Sequence, residues 1–172
     1  MEIQSLIRDI PDYPKQGVMF KDITTLLKDE KGFKFIIDTL SQRYKSIPID
    51  KIAAIESRGF IIGSALAYSL GKGLIILRKG GKLPGDCIST QYELEYGFDK
   101  LEIHKDAVEK GEKILLVDDI LATGGTAMGA IFLLEKLGAK VIEFCTVVSL
   151  RNLKGEKRLH ENNYGHYSVC SF

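Results

Sequence analysis

The chain has 172 residues, of which 45% are hydrophobic and 27% are charged, close to the averages of globular proteins. This length predicts one domain with a sizeable buried core, and we treat residues 1–172 as that domain. Lys and Arg number 24 against 23 Asp and Glu, a formal net charge of +1, which excludes a strongly basic nucleic-acid binder and an acidic disordered tail.

The N-terminal residues and the cysteines indicate a cytoplasmic protein. Charges interrupt the first ten residues, which lack the apolar run of a signal peptide. No stretch approaches the roughly 18 apolar residues of a membrane-spanning helix. Cys87, Cys145 and Cys170 lie far apart, and this spacing favours neither a zinc site nor a disulfide framework. We therefore expect a protein of the reducing cytoplasm that binds neither membranes nor nucleic acid.

Apolar periodicity predicts strands that alternate with helices. After an ordered but irregular cap over Pro11–Thr25, we expect a helix over about residues 30–46, a strand Lys51–Glu56, a helix Ile61–Leu70 ended by Gly71, a strand Gly73–Leu77, a strand Lys113–Val117, a helix Thr126–Leu137 ended by Gly138, and a strand Lys140–Val148. Continuously apolar strands separated by helices predict a mostly parallel sheet covered on both faces. Ligands of such sheets bind beyond the carboxyl ends of the strands, so we expect the site at the loops after Ile55, Leu77 and Val117.

The stretch Gly80–Asp106 breaks this alternation. It opens with glycines and a proline, continues with apolar residues at every second position from Ile88 to Tyr96, and ends in a shorter apolar run around Leu101 and Ile103. This pattern predicts a β-hairpin that leaves the sheet. A long excursion beside a binding edge is typical of a lid, and a structural or dimer-forming β-arm is the alternative.

The segment Val117–Thr126 carries the strongest chemical signal. A hydrophobic strand runs into Asp118 and Asp119, and a loop of small residues then leads into a helix. Glycines let backbone N–H groups approach a ligand closely, and the N-terminus of a helix favours an anion. Because paired carboxylates suit sugar hydroxyls or Mg²⁺ rather than a bare phosphate, the pattern favours a phosphorylated sugar. The alternative is a purely structural role, in which Asp118 only caps the loop.

This segment, VDDILATGGT, resembles the motif with which type I phosphoribosyltransferases bind 5-phosphoribosyl 1-pyrophosphate (PRPP), in the form typical of members that act on adenine. Further segments resemble the same family in the same order: Gly17–Ile23, Glu56–Phe60, Arg78–Gly85, Leu94–Gly97 and Leu101–Asp106. The resemblance implies the type I phosphoribosyltransferase α/β fold, with a hood over residues 1–30 and a lid hairpin over residues 80–106. It also implies conversion of adenine and PRPP to AMP and pyrophosphate, Mg²⁺ as cofactor, and a homodimer.

The resemblance also implies which residues bind PRPP. Asp118 and Asp119 would hold the ribose hydroxyls, and Mg²⁺ would bind mainly through PRPP, without a firm protein ligand. The 5′-phosphate would bind to Ala122, Thr123, Gly124, Gly125 and Thr126, and the pyrophosphate to Ser57, Arg58, Arg78, Lys79 and Lys82, with Arg78 acting in the site of the partner subunit. A cis peptide is expected near Glu56–Ser57. From the pattern alone, Arg58 also suits a surface salt bridge and the Arg78–Lys82 cations suit a solvated face.

The adenine site follows from the resemblance in the same way. Phe20 would stack on the purine, the Met19 carbonyl and the Lys21 N–H would read its amino edge, and Ile120 would close the opposite face. Glu95, in the proposed lid, would meet the base near N7 and is the best general acid or base. Together with Arg58, Asp118 and Asp119 it completes the predicted catalytic set. By pattern alone, Phe20 suits a core position and Glu95 a solvated hairpin.

Two other functions remain open at this point. A phosphoribosyltransferase for a 6-oxo purine would use the same PRPP site with a different base pocket. A regulator of the same fold that senses PRPP and binds nucleic acid would need a basic face or an added DNA-binding segment, and the near-neutral charge argues against it.

Overall fold

The computed structural model describes residues 2–93 and 97–172. In that part of the chain the helices are α1 (Thr24–Leu27), α2 (Glu30–Tyr44), α3 (Arg58–Leu70), α4 (Gly125–Lys136) and α5 (Gly155–Glu161), with single 3-10 turns at Ile3–Leu6 and Arg151–Leu153. The strands are β1 (Arg8–Pro11), β2 (Met19–Asp22), β3 (Lys51–Ile55), β4 (Gly73–Lys79), β5 (Cys87–Glu93), β6 (Phe98–His104), β7 (Lys113–Leu121), β8 (Lys140–Ser149) and β9 (His166–Ser171). None of the described helices is both long and apolar enough to cross a membrane.

Seven strands form one sheet in the order β5-β6-β4-β3-β7-β8-β9. The pairs β4–β3, β3–β7, β7–β8 and β8–β9 are parallel, which confirms the predicted mostly parallel sheet. Its strands read as near-continuous apolar runs because both faces are covered. On β7, Leu115 and Val117 pack with α2 and α3, whereas Ile114 and Leu116 pack with α4. Each fully buried aliphatic side chain contributes about 1.5–3 kcal/mol of transfer free energy.

The predicted hairpin exists but does not leave the sheet. Strands β5 and β6 pair antiparallel, and β6 also pairs antiparallel with the end of β4, where Lys79 faces Leu101. Leu101 and Ile103 are fully buried, so the second strand of the hairpin extends the core. The prediction of a separate excursion was wrong because β4 continues two residues past Leu77 and offers β6 an edge to pair with.

The N-terminal cap is also more regular than predicted. Strands β1 and β2 form an antiparallel ribbon in which Ile10 faces Phe20. Pro11 does not disturb the hydrogen bonds between β1 and β2. It occupies the last position of an edge strand, where its missing N–H is not needed. Asp22 at the end of β2 pairs with Arg8 of β1 and accepts a hydrogen bond from the Thr24 N–H at 2.9 Å. Burial raises the pKa of Asp22, but these partners outweigh it and lower the pKa to about 2.

Helix ends follow the chemistry of their flanking residues. Asp29 caps α2 by accepting a hydrogen bond from the Gly32 N–H at 2.7 Å. Gly71 ends α3 with a left-handed φ of 63°, as its position in the sequence predicts. Cys145 is a free, fully buried thiol whose pKa burial raises to about 12, which fits the inert core position expected of it.

Candidate active site

The carboxyl ends of β3, β4 and β7 meet at a cavity of about 550 Å³, at the edge of the sheet where the sequence predicts the site. Of the predicted residues, those that line it are Ser57, Arg58, Lys79, Asp118, Asp119, Ile120, Ala122, Thr123, Gly124, Gly125 and Thr126. Residues from every central strand therefore converge on one pocket, although more than 60 positions separate the first of them from the last.

Asp118 and Asp119 form a buried carboxylate pair beside Arg58. The two aspartates lie inside β7 rather than after it, since β7 extends to Leu121, which corrects the predicted strand end at Val117. Arg58 Nε lies 2.5 Å from Asp119 Oδ2, and Asp118 Oδ1 accepts the Asp119 N–H at 2.8 Å. Burial, followed by the charge of Asp119, raises the pKa of Asp118. Burial lowers the pKa of Arg58, but the charge and hydrogen bond of Asp119, together with the charges of Asp118 and Asp22, outweigh this and raise it.

The start of α3 is pressed against this pair. A Cβ on Gly59 would lie 2.7 Å from Asp118 Oδ1 and 3.1 Å from its Cα, so only glycine fits there. The peptide bond between Glu56 and Ser57 is cis, as the family resemblance implies. This local geometry positions Arg58 over Asp119, at the wall of the cavity.

The loop before α4 has the form of an anion cradle. Gly124 has a left-handed φ of 79° and precedes the first helical residue, Gly125. No side chain among the described residues caps α4, and its first turn contains no acidic residue. Its first N–H groups therefore point toward the cavity with the positive end of the helix dipole. The side chains of Thr123 and Thr126 add hydroxyls at the same wall.

Glu56 holds the cationic segment at the end of β4. Lys82 Nζ lies 2.6 Å from Glu56 Oε1, Arg78 Nε lies 3.4 Å from Glu56 Oε2, and the Lys79 N–H donates to Glu56 Oε2 at 2.9 Å. The ammonium of Lys79 pairs with Asp99 at 2.9 Å. Lys79 lines the cavity, whereas Arg78 and Lys82 do not, so the structure brings one of the three predicted cations to this site within a single chain.

Glu56→Gln is expected to change how stability depends on pH. Burial raises the pKa of Glu56, but Lys82, the Lys79 N–H and Arg78 together lower it from 4.5 to about 2. A carboxylate with a lowered pKa stabilises the fold above its unfolded pKa and loses this effect as pH falls through its folded pKa. The melting temperature of Glu56→Gln should therefore lie below that of the wild type at pH 5–8, and the difference should shrink toward pH 2.

The exposed Glu161, paired with Lys157 at 3.6 Å, supplies the control. Glu161→Gln should track the wild type across the same pH range, because exposed pairs contribute little. A melting difference for Glu56→Gln that stays constant from pH 7 to pH 2 would contradict the assignment.

Of the predicted base residues, Ile120 lines the cavity, whereas those on β2 lie beside it. Met19, Phe20 and Lys21 are absent from the lining, but the Phe20 ring centre lies 5.5 Å from Arg58 Cζ, at the edge of the site. Phe20 is half-buried and belongs to neither core cluster, so the core interpretation of this residue was wrong. Lys21 pairs with Asp9 at 2.7 Å. Ile120 lines the cavity, and Glu95 lies outside the described residues.

Several lining residues carry no motif, and sequence reasoning missed them. The N-terminal segment contributes Pro14 and Lys15, β8 contributes Phe144, and β5 contributes Tyr92. Tyr92 is 7% exposed, and burial, followed by the charge of Asp99, raises its pKa to about 12. The sequence signal for its burial is its place in the period-two run of β5.

A buried carboxylate pair, a glycine-rich helix start and an arginine meet at one edge of the sheet. The model of the phosphoribosyl transferase domain matches residues 22–169. The chain belongs to the phosphoribosyl transferase family, and its architecture is the type I phosphoribosyltransferase α/β fold.

Within that family, several proteins similar to this chain are named adenine phosphoribosyltransferase. An adenine phosphoribosyltransferase of Chlorobium limicola is 56% identical over 100% of this chain and 98% of its own length. The structure of the enzyme of that name from Thermoanaerobacter pseudethanolicus matches with a TM-score of 0.95 and 48% identity, covering 99% of this chain and 98% of the other. The Saccharomyces cerevisiae protein, solved with an imino-altritol bisphosphate and adenine, matches with a TM-score of 0.89 and 38% identity, covering 98% and 96%.

Proposed function

We propose that this chain transfers the 5-phosphoribosyl group of PRPP to N9 of adenine, giving AMP and pyrophosphate in purine salvage. One observation carries the proposal: a buried carboxylate pair and an anion-binding helix start share one cavity, with an aromatic ring at its edge. The relatives named adenine phosphoribosyltransferase support it. The alternatives of a 6-oxo purine substrate or a PRPP-sensing regulator have no such support and serve as outcomes of the test.

Different residues at the cavity bind different parts of PRPP. Ala122–Thr126 bind the 5′-phosphate with backbone N–H groups and hydroxyls, and Asp118 and Asp119 accept from the ribose hydroxyls. Ser57, Arg58 and Lys79 stabilise the pyrophosphate as it leaves. Adenine N9 attacks C1′ as the C1′–pyrophosphate bond breaks, and positive charge develops on the sugar. The protein contributes position and charge, which supply most of the rate in such transfers.

The hood and the hairpin complete the base site. Phe20 stacks on adenine, the Met19 carbonyl accepts from its amino group, the Lys21 N–H donates to N1, and Ile120 closes the other face. This arrangement leaves a polar group unpaired when a 6-oxo purine binds, which is the basis of strong rejection.

We propose that Glu95 contacts adenine near N7 and accepts the imidazole proton that adenine loses when N9 bonds to C1′. Glu95→Gln is expected to lower kcat by about 10²-fold, the scale of general acid–base catalysis, with little change in the KM for PRPP. Steady-state kinetics at saturating PRPP test this, and full turnover in the variant would remove Glu95 from the role.

Mg²⁺ is the ion that we propose to accompany PRPP. No three His, Cys, Asp or Glu side chains cluster as a metal site in the part of the chain that is described, and Asp119 is paired with Arg58. Asp118 and Asp119 still fit an ion that keeps most of its waters and binds through phosphates and one or two carboxylates. When bound with PRPP, this ion neutralises charge on the pyrophosphate.

The domain plan follows from these roles. Residues 1–30 form the hood that carries the base site, and residues 80–106 form a lid that excludes water from the activated sugar. The three free cysteines suit the reducing cytoplasm, where we place the protein.

An apolar strip on the sheet supports a homodimer. Leu74 and Ile76 of β4 and Ile61 of α3 are 39%, 36% and 46% exposed. Alternation along β4 puts Arg78 on the same face as Leu74 and Ile76, and Arg78 is outside the lining of its own cavity. A second copy seated on this strip would cover it and receive Arg78 at the mouth of its own site.

A mixed dimer tests whether Arg78 acts in the partner. Arg78→Ala and Asp119→Asn homodimers are both expected to be strongly impaired, by about 10-fold or more. A heterodimer purified with two different tags then contains one complete site if Arg78 acts in trans, and about half of the wild-type activity per dimer is expected. A heterodimer no more active than its parents would place Arg78 in its own chain's site.

The function itself is tested by one assay. The protein is incubated with PRPP and Mg²⁺ and with adenine, hypoxanthine, guanine or xanthine, and both nucleotide and pyrophosphate are followed. AMP from adenine alone is expected. A nucleotide from a 6-oxo purine would retain the PRPP site and overturn the base site at Met19–Lys21. No product from any base, with PRPP still bound, would favour the sensor.

A further inference from the structure

Helix α5, which no sequence motif predicts, packs directly on the loop Ala122–Thr126 (the phosphate loop). A Cβ on Gly155 would lie 2.3 Å from the Ala122 carbonyl oxygen, and one on Gly124 would lie 3.3 Å from Gly155 Cα. Gly155 is buried at the first position of α5. Backbone contact between α5 and the loop fixes the position of the residues that follow on α5.

Arg158, one turn further along α5, lies against the same loop. Its Cδ is 3.4 Å from the position of a Cβ on Gly124, and one of its guanidinium nitrogens is 3.6 Å from that position on Gly125. Arg158 is half-buried. Its guanidinium has no ion pair or hydrogen bond with any residue in the described ranges 2–93 and 97–172.

The neighbouring Lys157 provides the contrast. Its side chain is 71% exposed and pairs with Glu161 at 3.6 Å, which is the ordinary state of a surface cation. Arg158 instead loses part of its hydration beside Gly124 and Gly125 without gaining a carboxylate. A half-buried cation without a counter-charge is unfavourable unless an anion binds next to it.

We infer that Arg158 supplies a further positive charge to the 5′-phosphate of the substrate, in addition to the loop Ala122–Thr126; this rests on the proposed function. The guanidinium lies beside the first N–H groups of α4, where the phosphate binds. A planar guanidinium makes short, charge-assisted hydrogen bonds to phosphate oxygens. The same charge also attracts the phosphate before contact, because charges near a protein surface interact more strongly than in bulk water.

A different role for Arg158 predicts a different result. The Glu93 carbonyl oxygen lies on the same side of Gly125, 1.9 Å from the position of its Cβ. If the guanidinium served only to hold the end of the hairpin there, its loss would disturb the whole cavity. Binding of pyrophosphate, on the Arg58 and Lys79 side, would then weaken as much as binding of AMP.

Direct binding separates these roles. Calorimetry with AMP, adenosine and Mg²⁺–pyrophosphate is carried out on the wild type, Arg158→Gln, Arg158→Lys and the control Lys157→Gln. For Arg158→Gln we expect AMP binding to weaken by roughly 10- to 100-fold, the scale of a hydrogen bond to a charged group, with adenosine and pyrophosphate unchanged. Arg158→Lys should recover part of the loss, and Lys157→Gln should match the wild type.

Two results would overturn the inference alone: AMP binding to Arg158→Gln within two-fold of the wild type, or equal losses for AMP and pyrophosphate. Arg158→Lys covers the case in which the glutamine variant folds poorly, since it keeps the charge and most of the length. A wild-type protein that binds neither AMP nor PRPP would instead overturn the proposed function, and the inference with it.

Discussion

Asp119→Asn lowers kcat/KM for PRPP by an expected 10²- to 10³-fold, about the effect of removing one preorganised group at a reacting centre. Asp119 is 4% exposed and its carboxylate lies 2.5 Å from Arg58. The substitution removes the charge that holds Arg58 in place and replaces one of the two oxygens proposed to accept from a ribose hydroxyl with an NH₂ donor. The KM for adenine should change by less than about threefold, because the β1–β2 ladder fixes Phe20 opposite Ile10, even though its ring also lies beside Arg58.

The adjacent carboxylate provides an internal comparison. Burial favours the neutral form of Asp118, and a neutral amide resembles that form, so Asp118→Asn should cost less than Asp119→Asn. Asp38→Asn, at an exposed pair with Lys34 on α2, should leave both kinetic constants unchanged. These predictions are tested by steady-state kinetics in which each substrate is varied in turn. Equal decreases in kcat/KM for PRPP and for adenine in Asp119→Asn would remove Asp119 from the ribose site.

The central sheet was predictable because its strands are buried on both faces. Lys51–Ile55 and the first half of β7 are almost entirely aliphatic, and such runs between helices have few other solutions. The strand ends were not predictable in the same way. β7 continues through Asp118 and Asp119 because β8 offers ladder partners as far as Ser149, and pairing of this kind leaves no trace in hydropathy.

The shorter elements escaped prediction for a related reason. Helix α5 has seven residues and buries only Gly155 and Leu159, too few positions to show a helical period. The ribbon β1–β2 buries only Asp22 fully, so it shows no alternation of apolar and polar residues. Local pattern detects an element through the face that it buries, and these elements bury little.

The residues of the candidate site likewise differ in whether the sequence reveals them. Asp118, Asp119 and the phosphate loop are contiguous in the chain, so their chemistry is visible as a motif. Tyr92 lines the cavity from β5, and Arg158 of α5 lies against the loop before α4. Glycines allow both contacts: Gly129 against Tyr92, and Gly124 and Gly125 against Arg158. A residue whose role depends on such a contact is ordinary in sequence and becomes visible only in three dimensions.

Gly125→Ala is expected to lower kcat/KM by at least about 10²-fold, because it forces apart the two elements that enclose the phosphate. The added Cβ would lie 1.9 Å from the Glu93 carbonyl oxygen and 3.1 Å from the carbon of that carbonyl. Both atoms are backbone, so no rotamer change relieves the contact, and either β5 or the start of α4 must move by about 1 Å or more. Misplacement on this scale costs about 10²-fold in rate.

Stability and activity should separate in Gly125→Ala. Overpacking destabilises by about 1–3 kcal/mol, and the better helix propensity of alanine offsets up to about 1 kcal/mol of this, so the fold survives. Hydrogen exchange should show faster exchange in β5 and β6, whereas β3 and β7 keep wild-type protection. Gly165→Ala is the matched control, since its Cβ would lie 3.5 Å from Glu143 Oε1 in ordinary contact. Wild-type kcat/KM in Gly125→Ala would show that the hairpin does not have to rest on α4 for catalysis.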